Sequence, residues 1–339
     1  MLRELVFMAN LAAQETTGDT ATSLSVERLA HRLRGSAVYD SVALARVDAP
    51  MNSPLSSLGY PVVTDPDSEV AGFLLLGMPL TEDRDVLDVE VILDAGHLPL
   101  PGAAFDPEGR AIIDELLAEA DSIGARLGRT TLQTWLLHPA DEEPGTGEFA
   151  AVLRSAGYRL GLTEIQGHLP VIPRPVDHPW EISVIVDLDV PDHLTDDVIG
   201  LYQLGSDDMP RGGLQESDIT WTRQRLTDAA ARLRDTGRRS LIVLAHDDSG
   251  PVGLTEVRMH QGSDETVLEQ DLTVVATPAR GRGVATALKQ ELLNRAGAVF
   301  PAAARVYTSC AVDNHAMIAV NEALGWTRFS GGSGWEKRL

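Results

Sequence analysis

Cys310 is the only cysteine among 339 residues. That excludes an intrachain disulfide and any thiolate metal cluster, and it fits a reducing, cytoplasmic setting. Basic residues are scarce: 28 Lys and Arg stand against 50 Asp and Glu, a net charge of −22. Such a field repels nucleic acid and anionic membrane surfaces, so neither is expected as a partner, but it does not repel a cationic amine. No stretch of 18 apolar residues is present, so no membrane-spanning helix is expected. The opening residues 1–14 imitate a secretory leader only faintly, because Glu4 sits in the would-be basic region and Asn10 interrupts the apolar run. His-x-x-x-His and Cys-x-x-Cys spacings are missing, so no metal is expected.

What is present suits a soluble globular chain, with 43% apolar and 23% charged residues. The length is too great for one compact core and fits two domains of ordinary size. Residues 169–179 carry four prolines without helical or strand periodicity and read as an extended connector. The expected division is therefore 1–172 and 173–339. On either side an order of elements repeats. Upstream, 70–78 and 86–93 read as strands, 110–127 as a helix, 130–137 as a strand and 149–155 as a helix. Downstream, 240–246, 252–260 and 267–276 read as strands, 283–298 as a helix, 304–311 as a strand and 315–324 as a helix. Each half closes alike, Leu153-Arg-Ser-Ala-Gly-Tyr-Arg159 against Glu322-Ala-Leu-Gly-Trp-Thr-Arg328. The fold class expected is α/β: two tandem domains, each a mixed sheet between helices.

The stretch richest in chemistry runs from the β-branched segment ending at Val274, Val275 and Ala276 into Arg280-Gly-Arg-Gly-Val-Ala-Thr286 and directly on into a helical pattern. Glycines let successive backbone N–H groups converge on one spot. The start of a helix adds unpaired N–H groups and the positive end of its dipole. Arg280 and Arg282 add charge beside them. Such a device binds a pyrophosphate. Neither the G-x-G-x-x-G nor the G-x-x-x-x-G-K-[ST] pattern is complete here.

Arg280-Gly-Arg-Gly-Val-Ala285 resembles the [RQ]-x-x-G-x-[GA] signature of the GNAT N-acetyltransferases. Asn314-His-Ala-Met317 and Asn321-Glu-Ala-Leu-Gly-Trp326 look like that family's second motif, N-x-x-[AM] followed by L-G-[FW]. The tandem layout is similar to two-domain GNAT proteins of actinobacteria. The resemblance implies two GNAT folds, each with a mostly antiparallel sheet, and acetyl-CoA as cosubstrate. It implies that Arg280, Gly281, Arg282, Gly283, Val284, Ala285 and Thr286 cradle the CoA pyrophosphate. It further implies that Thr273, Val274 and Val275 pair with the pantetheine arm, and that Asn314 hydrogen-bonds it; Asn is also favoured as a helix N-cap.

Acyl transfer to an amine requires a proton acceptor and stabilisation of charge at the carbonyl. Glu269 stands where some GNAT enzymes place a general base, with Glu256 next in order. Strict alternation would set Asp271 and Thr273 on the face of Glu269. Where many relatives carry a tyrosine acid, this chain has Asn321, whose amide can hydrogen-bond sulfur but cannot protonate it usefully. An acceptor pocket is implied along 204–216, where Asp207 and Asp208 would receive an ammonium and Met209 would form an apolar wall, unless the segment is a solvated acidic loop. In the N-terminal half the corresponding turn, 95–110, is long, holds three prolines and lacks the Arg-x-x-Gly-x-Gly order. Proline offers no N–H to phosphate, so that half is expected to be degenerate. The expected function is acyl-CoA-dependent N-acyl transfer to a small-molecule or peptide amine, by a monomer or homodimer. The alternatives are a non-catalytic acyl-CoA-binding or regulatory module and a protein N-acetyltransferase.

Overall fold

The computed structural model describes residues 1–47, 53–65, 68–99 and 103–339. In chain order the first half forms helices α1 (Leu2–Thr17) and α2 (Val26–Arg34), then strands β1 (Tyr39–Val47), β2 (Val70–Pro79) and β3 (Val86–Leu93). Helix α3 (Pro107–Arg126), strand β4 (Thr131–Pro139), helix α4 (Glu148–Ser155) and strand β5 (Arg159–Pro170) complete it. The second half runs β6 (Glu181–Val186), α5 (Thr195–Asp208), α6 (Arg223–Asp235), β7 (Arg239–Asp247), β8 (Gly250–Met259) and β9 (Val267–Val275). It ends with α7 (Val284–Val299), β10 (Arg305–Ala311), α8 (His315–Ala323) and β11 (Thr327–Arg338). The repeated order of elements holds, except that among the described residues no strand precedes α1.

Two compact units result. Unit 1 holds Met1–Thr163, Arg211–Glu216 and Gly332–Leu339; unit 2 holds Glu164–Pro210 and Ser217–Gly331. The units interleave along the chain, changing over within β5 and again within β11. In unit 1, β1, β2 and β3 pair antiparallel and β3 pairs parallel with β4. In unit 2, β6 to β9 pair antiparallel, β9 pairs parallel with β10, and β10 pairs antiparallel with β5.

Period-two alternation buries both faces of each sheet. In β7, Leu241, Val243 and Ala245 point into the core shared with α7, while Ile242 and Leu244 point into the core shared with α5 and α6. In β2, Leu74 and Leu76 join the α3 and α4 side, and Phe73 and Leu75 the α1 and α2 side. This is why both strands read as unbroken apolar runs. Gly253 of β8 lets α7 lie close: a Cβ there would stand 2.7 Å from Val274 O and 2.9 Å from Leu288 Cδ1.

The proline-rich segment is more firmly held than a bare connector. Its first two residues belong to β5, where Leu169 and Pro170 pair with Val306 and Arg305. Beyond them, Asn294 of α7 accepts from Arg174 N (2.8 Å) and donates to Arg174 O (3.0 Å), and Gln290 donates to Ile172 O (3.2 Å). Side-chain amides thus satisfy backbone groups that proline leaves without a ladder.

Trp335 of β11 is fully buried in the core of unit 1, with the Arg154 guanidinium over its ring. Truncating a buried tryptophan costs about 3–5 kcal/mol. Trp335→Ala is expected to lower unfolding stability by that amount, and to speed hydrogen exchange in β2 and α3 more than in β7 and β8. Equal acceleration in both units would show that Trp335 does not belong to unit 1 in this way.

Candidate active site

Chain geometry at the end of β9 leaves an open nest of backbone N–H groups. A short turn, Thr277–Ala279, leads to Arg280, and α7 begins at Val284 behind Gly283. Gly281 and Gly283 both take left-handed backbone angles, φ 73° and 82°. Nothing lies within 4 Å of a Cβ built on either, so glycine is required by conformation and not by crowding. No side chain caps α7, so its first N–H groups remain for a ligand. Arg280 donates through Nε to Val275 O (3.1 Å) and pairs with Asp208; Arg282 Nη1 lies 3.5 Å from Asp247. The donor set, open on its outer side and flanked by two guanidiniums, fits a pyrophosphate.

Two departures from regular pairing open the sheet beside this nest. β9 and β10 pair only as far as Glu269 and Tyr307, so residues 270–275 of β9 have no partner on that side. On its other edge β9 carries a bulge. Glu256 lies opposite Leu272 but Val257 lies opposite Gln270, which leaves Asp271 as the extra, unpaired residue. The bulge breaks the expected alternation. Thr273 does not share a face with Glu269 and Asp271; it turns to Thr255 (2.8 Å between hydroxyl oxygens), while Asp271 joins Glu256 and Arg258.

A tight group of charges surrounds the bulge. Glu256 is fully buried, accepting from Tyr202 Oη (2.6 Å) and Arg258 Nε (2.9 Å). Arg258 Nη2 also reaches Asp271 (2.8 Å), whose side chain remains 36% exposed. Burial and then the neighbouring Glu256 carboxylate push the Asp271 carboxyl up to about 7, against the opposing pull of Arg258. Glu269 lies at the last paired position of β9 with His260 Nε2 at 3.0 Å. By residue spacing alone, Asp271 is only a neighbour of Glu269. Its role as the bulged residue depends on strand register, which residue spacing does not encode.

Asn321 is completely buried on α8 and accepts from Lys289 Nζ of α7 (2.7 Å). Its Nδ2 faces Cys310 Sγ of β10 at 4.0 Å. Burial pushes the Lys289 ammonium down to about 7 and the Cys310 thiol up. Lys289 escaped notice in the sequence because it sits in Ala287-Leu-Lys-Gln-Glu, where a lysine ordinarily marks a solvated face. Asn314 is the N-cap of α8, its Oδ1 accepting from Met317 N (3.1 Å). The amide N–H₂ is the end left to meet a ligand.

Residues 204–216 are not an acidic loop throughout. Asp207 and Asp208 form the last turn of α5, and exposed Met209 follows it. Asp207 accepts from Gln203 (2.8 Å) and Asp208 holds Arg280. Residues 211–216 belong to unit 1. In unit 1 the segment corresponding to the nest differs in kind. Asp106 caps α3, its carboxylate accepting from Gly109 N (2.6 Å), with Pro107 at the first turn. Leu100, Pro101 and Gly102 of this segment lie outside the described residues.

Residues 199–326 match the family described as Acetyltransferase (GNAT) family. No curated protein matches the sequence. Among solved structures, the chain is similar to a tandem GNAT protein from the clavulanic acid biosynthesis pathway, at 19% identity and a TM-score of 0.70. That match covers 99% of this chain and 94% of the other. It is also similar to a GCN5-related N-acetyltransferase from Sphaerobacter thermophilus, at 16% identity and a TM-score of 0.66, covering 100% and 93%. The glycine nest and the opened β9–β10 edge both lie in or beside the segment 199–326 that matches the GNAT acetyltransferase family, and the chain as a whole has the fold of tandem GNAT proteins.

Proposed function

We propose that unit 2 transfers an acyl group, acetyl in the first instance, from acyl-CoA to the amine of a small molecule or peptide by direct attack. The observation that carries this reading is a bulged carboxylate, Asp271, standing beside an opened strand edge that leads from an uncapped glycine nest. CoA would place its pyrophosphate on Arg280, Gly281, Arg282, Gly283, Val284, Ala285 and Thr286. Its pantetheine arm would run along the edge of Thr273, Val274 and Val275 that β10 leaves without strand pairing, with Asn314 donating to it. Holding both reactants in place supplies much of the rate, since a thiolate leaves readily.

The amine arrives protonated and must lose a proton before it attacks. Asp271 has the surroundings of a general base near neutral pH: it is partly exposed, and burial with the Glu256 carboxylate holds its proton affinity up. Glu269, paired with His260, is the second carboxylate of the same face. Asp207, Asp208 and Met209 would border the acceptor, and Asp208 becomes available to a cation once pyrophosphate engages Arg280. In unit 1, the carboxylate of Asp106 occupies the helix terminus that phosphate would need. This supports a non-catalytic N-terminal domain.

Acetyl-CoA is expected to bind with a stoichiometry of one per chain. Gly283→Val, which forces a β-branched residue to a φ of 82°, is expected to weaken it by roughly 1–2 kcal/mol or more. Calorimetric titration giving two sites, or unaltered affinity in the variant, would remove this assignment.

The pH profile tests the base. With Asp271 titrating near 7, kcat/KM rises through neutrality as the carboxylate forms and reaches its plateau above it. Asp271→Asn is expected to lower kcat/KM at neutral pH by on the order of 10²-fold and to abolish that acidic limb. Glu269→Gln should retain the limb. The opposite pattern transfers the role to Glu269 and His260, and binding without thioester consumption across an amine panel would leave only an acyl-CoA-binding module.

A further inference from the structure

Lys289 is the one lysine or arginine among the described residues that is buried, with 2% of its surface exposed. It lies six residues into a helix whose start is the phosphate nest, yet it points inward to Asn321, not outward to the nest. Burial dominates its environment, and no carboxylate among the described residues offsets it; the nearby group that favours its charge is the Cys310 sulfur. An isolated buried ammonium is costly and is seldom kept without a use.

The chemistry of the contact fixes the orientation of Asn321. An ammonium has donors only, so the amide must present its oxygen to Lys289 and turn its N–H₂ the other way. That other side is Cys310 Sγ, at 4.0 Å. Cys310 lies on β10 beyond Tyr307, in the part of the strand that no longer pairs with β9. The amide donors therefore turn toward β10, at a strand position past the end of its pairing with β9. Other charged groups felt by Cys310 are Glu164 of β5 and Arg328 of β11. Burial holds the Glu164 carboxyl up, and Arg328 is 46% exposed, which leaves Lys289 as the buried cation of the cluster.

We propose that Lys289 is a positioning residue for acyl transfer, locking Asn321 with its N–H groups toward the opened β10 edge so that the pair stabilises the departing CoA thiolate. The inference rests on the reading that the pantetheine arm occupies that edge. In the step concerned, the amine nitrogen bonds to the carbonyl carbon and the carbon–sulfur bond breaks. The electron pair stays on sulfur; of the two protons the ammonium gives up, the first goes to the base on β9 before attack and the second leaves to solvent as the amide forms. No proton need reach the sulfur at that moment. A buried amine without a carboxylate partner holds its proton more firmly once negative charge develops beside it, and the amide it orients adds donors to that charge. This replaces a proton donor with charge stabilisation, a role that the amide of Asn321 can fill.

The test uses the full chain saturated with CoA, following thiolate absorbance in the ultraviolet against pH. The same protein saturated with desulfo-CoA serves as the blank, so that Cys310 cancels. In the wild-type complex the CoA thiol is expected to titrate below free CoA. In Lys289→Met it should titrate higher than in wild type by about one pH unit, a tenfold change in acidity. The rate should fall in kcat, with KM for acetyl-CoA nearly unchanged, and donors with more acidic leaving thiols should recover it. An apolar chain in place of an unpaired buried charge is usually tolerated by the fold. Asn321→Asp supplies an independent variant that keeps a partner for Lys289 but removes the donors, and it should raise the thiol titration in the same direction. CoA bound by wild type and both variants with identical thiol titrations would overturn the proposal. Wild type that binds no CoA at all would instead overturn the reading of the opened edge on which it rests.

Discussion

One surplus residue in β9 sets the arrangement of side chains and charges across that strand in unit 2. Because Asp271 has no opposite number on β8, the strand bends and the face of every residue after it is reset. Thr273 turns toward Thr255, Leu272 and Val274 enter the core beneath α5, and Asp271 swings into the company of Glu256 and Arg258. The same strand parts from β10 after Glu269. A strand edge buried in a sheet ordinarily has its backbone groups paired, and here the pairing with β10 stops partway along β9.

Electrostatics then follow from placing charges around that opening. On one face two carboxylates share a single guanidinium and a phenol, so they cannot both be ionised at low cost; the more exposed of them, Asp271, is driven toward neutral titration. On the other face a lone ammonium is buried with an amide and a thiol. Removing an ion from water costs several kcal/mol even after relaxation, and burial accordingly lowers the proton affinity of Lys289. The two clusters have opposite leanings: one takes up a proton and the other welcomes negative charge.

Unit 1 shows what the fold does without these devices. Its parallel pair also stops early, at Asp88 and Gln133, but β2 and β3 run in unbroken register from Gly72 to Gly77 without a bulge. Asp88 is closed off by Tyr39 Oη at 2.5 Å, Glu90 is held by Arg32 at 3.0 Å, and Asp106 caps α3. Carboxylates at equivalent strand positions have become internal partners, so the same layers serve packing.

Much of this was legible from residues alone. Apolar runs placed β2, β3, β7, β8, β9 and β10 within a residue or two, because strands buried on both faces need continuous apolar sequence. The Arg280–Thr286 nest could be read because left-handed backbone angles at Gly281 and Gly283 demand glycine, a local requirement. Local preference also gave Asn314 its cap. Tertiary structure decided the rest. Alternation misplaced Thr273, since a bulge is a property of two strands in register and not of one. The helical end of 204–216 was read as loop because its apolar contacts come from distant strands. Lys289 looked like a surface lysine, since neither its burial nor its contact with Asn321, 32 positions away, is written in its neighbours. Local conformational demands leave a mark on the sequence, whereas register, burial and long-range pairing exist only once the chain has closed on itself.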